Sequence, residues 1–146
     1  MSERAQPRVA VTRSRELVAS KQGLQNIDGV SAEACGALGL WMGMIRIPPG
    51  ARANPHLHEE HETAIYVLEG AGEMWFGDNL EEHVTFEAGD FMYIPAGVPH
   101  APSNPSSTDH VVGIAARTDP NEQESVVLRP DLAERLPAMK VAEPER

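Results

Sequence analysis

From residue 38 onward the chain is a succession of short apolar, β-branched or aromatic runs, each closed by turn-forming residues. Leu38 to Ile47 runs into Pro48-Pro49-Gly50. Thr63 to Leu68 runs into Glu69-Gly70-Ala71-Gly72, Glu73 to Phe76 into Gly77-Asp78-Asn79, and Phe91 to Ile94 into Pro95-Ala96-Gly97. His83 to Phe86, Val111 to Ala116 and Ser125 to Leu128 extend the series. Runs of this composition read as strands. They stand too close together for crossover helices, so the chain is expected to be an all-β sandwich or barrel. Leu38 to Ile47 is apolar on both faces if extended, which predicts cover on both sides. Trp41, Met42 and Met44 within it read as core. After it, proline sets φ at the first turn position and Gly50 accepts positive φ at the next.

At 146 residues the chain is long enough for one domain with a proper core. Residues 1–37 read as an N-terminal arm with edge strands, 38–118 as the barrel and 119–146 as a C-terminal strand and tail packed on it. Within the arm, Val9 to Val11 is expected to be a short strand, on an edge or exchanged with a partner subunit. Residues 14–21 fit either a helix or a strand, and 22–36 read as loop. Pro130 to Leu136 is expected to form one or two helical turns, with a loose tail from Pro137. The net charge of −10 leaves no electrostatic footprint for nucleic acid or anionic lipid. No apolar run reaches membrane-spanning length and the N-terminus has no apolar signal core, so a cytoplasmic location is expected. The single cysteine, Cys35, rules out an internal disulfide and reads as a small buried or half-buried side chain.

The chemistry is concentrated in Gly50-Ala-Arg-Ala-Asn-Pro-His56-Leu-His58-Glu-Glu-His61-Glu62. In an extended chain His56 and His58 project from one face, a ready pair of metal ligands. One strand cannot complete a site, so further ligands must come from another segment. His83 and His110 read as surface residues. Tyr66, Phe91 and Tyr93 are candidates to line the barrel, with packing as the default.

Gly50, His56-Leu57-His58 and Glu62 together resemble the first motif of the cupin superfamily, in the small single-domain type. Gly89, Pro95-Ala96-Gly97, His100 and Asn104 match the second cupin motif at every signature position. The resemblance covers residues 50–104. It implies a double-stranded β-helix, or jelly-roll barrel, with short helical or irregular termini. It also implies a metal held near the centre by His56, His58 and His100. One position departs from the pattern: Thr63 stands where cupins place a ligating glutamate, and Glu62 precedes it. Strand parity turns Thr63 inward and Glu62 outward, and His61 shares the inward parity. His61, Glu62 from a bulge, or water remain the choices for the fourth ligand.

Such a donor set suits one divalent transition metal, Zn, Fe, Ni, Mn or Cu. The resemblance implies a metal-dependent dioxygenase or isomerase acting on a small oxygenated molecule in the barrel. The alternative is a non-catalytic module that binds or senses a small molecule or metal. A sugar-nucleotide epimerase of related shape is the weakest reading, because no basic phosphate-binding set is evident. Small single-barrel cupins are often dimers, and a homodimer is expected here.

Overall fold

A computed structural model describes residues 7–121, 125–137 and 140–141. In chain order the strands are β1 (Val18–Ala19), β2 (Gln25–Val30), β3 (Trp41–Ile47), β4 (Ala51–Arg52), β5 (His56–His58), β6 (Thr63–Glu69) and β7 (Ala71–Phe76). They continue with β8 (Glu82–Glu87), β9 (Phe91–Ile94), β10 (His100–Ser103), β11 (Val111–Arg117), β12 (Val126–Leu128) and β13 (Lys140–Val141). One turn of helix, α1 (Ala32–Cys35), follows β2, and a 3-10 helix spans Pro130–Arg135.

The first sheet has the order β1-β2-β3-β11-β6-β9. In the second, β10 pairs with β4 and β5 on one side and with β7 on the other; β12 pairs with β5, β13 with β4 and β8 with β7. The two sheets face each other across one core. Trp41, Ile45, Ile65 and Val67 come from the first, and Met74 and Phe86 from the second. Alternation decides which side chains enter it. In β3, Trp41, Ile45 and Ile47 are buried while Met42 is 45% exposed. The architecture is the all-β double-stranded β-helix. A smaller cluster seats Leu132 and Leu136 against Leu80 and Ala101, which docks the 3-10 helix on the second sheet.

The turns follow their residues. The Ala51 amide donates to the Pro48 carbonyl at 3.1 Å, and Gly50, at φ 72°, occupies the position that demands positive φ. Asn104 closes the neighbouring corner. Its buried amide donates to the carbonyls of Ile47 (3.0 Å) and Asp109 (2.7 Å), and its side-chain oxygen accepts from the Ser106 amide.

Several expectations need correction. Val9 to Val11 is not a strand. Both valines are exposed, and the segment is tied beside β2 by Thr12 Oγ1 donating to the Gly29 carbonyl at 2.7 Å. Residues 22–36 hold β2 and α1 rather than loop alone, because β2 pairs along β3. Of residues 14–21, only Val18–Ala19 is regular, as a strand. The outer face of β3 is only partly covered, with Met42 45% exposed. Tyr66 lies on the outer face of β6 against Phe91, ring centroids 4.8 Å apart, instead of lining the barrel. The tail beyond Pro137 adds β13, parallel to β4. Residues 1–6 lie outside the described residues.

Candidate metal centre

His56 and His58 are the two ends of the three-residue strand β5, so both side chains leave its inner face. Antiparallel pairing sets His100, the first residue of β10, directly opposite His56. The loop leading to His100 hangs on the same strand: the Gly97 amide donates to the His58 carbonyl at 2.7 Å. Gly97 sits at φ 76°, a conformation natural to glycine. All three imidazoles are buried, and one ring nitrogen from each lies within 4.8 Å of the others. The ring centroids of His56 and His100 are 4.3 Å apart.

The opposite ring nitrogens orient the cluster. His56 Nδ1 is 2.7 Å from the Asn54 carbonyl, and His100 Nδ1 is 2.9 Å from the Val98 carbonyl. A carbonyl only accepts, so each Nδ1 carries the proton and each Nε2 keeps its lone pair. His58 Nδ1 is 3.1 Å from Ser125 Oγ, and its Nε2 is buried with no hydrogen-bond partner among the described residues. A buried, unpaired imidazole nitrogen carries a desolvation penalty. Coordination would relieve it, so the donor set fits a divalent transition metal at bond lengths of about 2 Å. Burial pushes His58 down to about 2, with the Arg117 guanidinium and His100 acting in the same direction. Burial likewise holds His100 down, to about 4, and His56 well below the usual imidazole range. The rings are therefore neutral at pH 7, the form that ligates.

Two residues singled out for the fourth position are not in this cluster. Glu62 is exposed, and its carboxylate accepts from Tyr93 Oη at 2.8 Å. His61 Nε2 is 3.9 Å from the Asp119 carboxylate. Thr63 does face inward, and its Oγ1 accepts from Arg117 Nε at 3.1 Å. Arg117 is the residue that the sequence reading passed over. Inner-face pairing aligns Trp41, Arg117, Thr63 and Ile94 in one row across four strands. The guanidinium carbon stands 5.0 Å from the Trp41 ring centroid. Its signal was available: Val111, Gly113, Ala115 and Arg117 share one parity, so a cation occupies a buried position. Ser125 had no such signal, being 67 residues from His58.

A cavity of about 380 Å³ opens beside the cluster at the edge of β9 and has His100 in its wall. Met74 and Phe76 of β7, Val84 of β8 and Met92 and Ile94 of β9 supply apolar walls, and Phe91 and Tyr93 stand at its rim. His83 packs on Trp75 at 4.4 Å and His110 lies 2.8 Å from Arg46, both away from the cluster.

These features have counterparts among known proteins. The cupin-domain family profile matches residues 43–115, half of the chain. Quercetin 2,3-dioxygenase of Bacillus subtilis is 33% identical over 67 residues; the match takes in 46% of this chain and only 19% of that enzyme. Among solved structures, an uncharacterized Klebsiella pneumoniae protein with a double-stranded β-helix domain superposes with TM-score 0.61 at 15% identity, covering 77% of this chain and 89% of that one. A Thermotoga maritima protein described as a predicted oxalate decarboxylase gives TM-score 0.61 at 22% identity, covering 75% and 98%. An oxalate decarboxylase of Bacillus subtilis gives 0.66 at 19% identity, covering 84% of this chain and 32% of that one. At these identities the solved structures speak to the fold alone. With the profile spanning both histidine motifs and the barrel built as described, the chain belongs to the cupin family.

Proposed function

We propose that the chain holds one divalent transition metal on Nε2 of His56, His58 and His100, and that it is an enzyme acting on a small oxygenated organic molecule, as a dioxygenase or isomerase. The observation that carries this reading is the convergence of three buried, neutral imidazoles whose outer nitrogens are already engaged. The metal, when bound, would supply a Lewis acid or oxygen-binding centre. The chain does the rest. The carbonyls of Asn54 and Val98 and the Ser125 hydroxyl hold the imidazole planes, and the sheets keep bulk water from the ligands. Among the described residues the cluster contains no carboxylate, which leaves coordination positions for water and a substrate oxygen. The similarity to a quercetin dioxygenase over 67 residues supports oxygen chemistry.

Purified protein is expected to contain close to one transition metal per chain, and His100→Ala to lose most of it, because two imidazoles hold a metal weakly. Unchanged metal content in that variant, by elemental analysis, refutes the assignment. The second reading is a non-catalytic binding module. It is favoured by the absence of a carboxylate from the cluster among the described residues. Oxygen consumption or isomerisation across a panel of small oxygenated substrates separates the two.

A further inference from the structure

We propose that the site takes a ligand with an apolar body, aromatic or branched, and a single oxygen-donor head. The body fills the cavity between β7, β8 and β9 while the head turns to the histidine cluster. This rests on the metal reading given above and adds the chemical class of what the metal meets.

The cavity has direction. His100 is the polar group at its inner wall, and Met74, Phe76, Val84, Met92 and Ile94 form its sides. No lysine or arginine occurs among the residues lining it. A sugar phosphate would carry its charge along walls that offer no counter-charge, since the metal and Arg117 stand only at the cluster end, and a compact dianion would leave the apolar walls unfilled. An apolar body gains by leaving water in the same space. The size also fits. At roughly 30 Å³ for each water displaced, a volume of about 380 Å³ holds on the order of a dozen waters. That is ample for one substituted ring. Strand parity explains why the walls are apolar. Val84 pairs with Met74, so both project from the inner face of the β7–β8 hairpin. Met92 pairs with Ile65 and Ile94 with Thr63, which turns both to the barrel interior.

The test compares benzoate, acetate and oxalate on the metal-loaded full chain by titration calorimetry. Benzoate and acetate share a head and differ in body; oxalate is a compact dianion. Benzoate is expected to bind at least tenfold more tightly than either. Val84→Glu, at a half-exposed wall position that tolerates a longer side chain, is expected to weaken benzoate at least tenfold. Val84→Ser should shift benzoate in the same direction by a smaller factor. Acetate or oxalate binding as tightly as benzoate overturns the inference, as does benzoate binding unchanged in both variants. Metal content, read separately by elemental analysis, reports on the metal reading alone. A metal-loaded protein that prefers oxalate thus sinks the ligand class and leaves the metal standing.

Discussion

Thr63 and Arg117 set this site apart from the cupin pattern that its motifs resemble. A neutral hydroxyl stands where a carboxylate ligand is the rule, and a buried guanidinium donates to it at 3.1 Å. His61 and Glu62, the nearest alternatives, point to other partners: His61 to Asp119, and Glu62 to Tyr93. His61→Ala and Glu62→Ala are therefore both expected to retain wild-type metal content, with solvent completing the coordination sphere. Loss of metal in either variant, measured beside His100→Ala, would return that residue to the fourth position. Glu62 has one further consequence. Its hydrogen bond raises the Tyr93 phenol above its usual range.

At the scale of elements, the strands with regular alternation were legible and the polar ones were not. Thr63–Glu69, Phe91–Ile94 and Val111–Arg117 announce themselves through β-branched and aromatic residues. β2, Gln-Asn-Ile-Asp-Gly-Val, carries the composition of a turn and becomes a strand because β3 offers it a full hydrogen-bonding edge. β10 begins at His100 and contains Pro102, so it too is hidden in the sequence. The second motif's asparagine acts through these elements. Asn104 ties the end of β3 and the approach to β11 to the segment after β10, with its side chain wholly buried. Asn104→Ala leaves the Ile47 and Asp109 carbonyls without that donor. The expected destabilisation is about 2–4 kcal/mol, read in urea unfolding. A change under about 0.5 kcal/mol would show that water replaces the amide there without loss.

For the molecule as a whole, the outer face of the first sheet is the conspicuous feature. Ile27, Met44, Ile114, Tyr66 and Phe91 form one apolar row across five strands, and Met42, Ala116, Ala64 and Tyr93 run beside it. Phe91 is 82% exposed. Five strands about 4.8 Å apart make a face roughly 20 Å wide. Its area, on the order of 400 Å², is about half of what one partner contributes to a standard interface. Two chains of charge −10 repel, and these two rows carry no charged side chain, so a second copy meets least resistance here. A homodimer through this face is expected. Met42→Lys with Tyr66→Lys, both at exposed positions, should shift it to monomer with metal content unchanged. Light scattering that finds the wild-type chain monomeric at micromolar concentration refutes the dimer.

The spacing of strands and turns, the shared face of His56 and His58 and the inward parity of Thr63 all follow from the sequence alone. Each depends on alternation or turn chemistry within a few residues. The Pro48-Pro49-Gly50 turn was readable for the same reason. Pairing between distant strands decided the rest. It brings His100 opposite His56, sets Ser125 against His58, places Arg117 beside Thr63 and turns Tyr66 outward. These contacts depend on strand register, and no local run of residues encodes the register of two strands that lie dozens of positions apart.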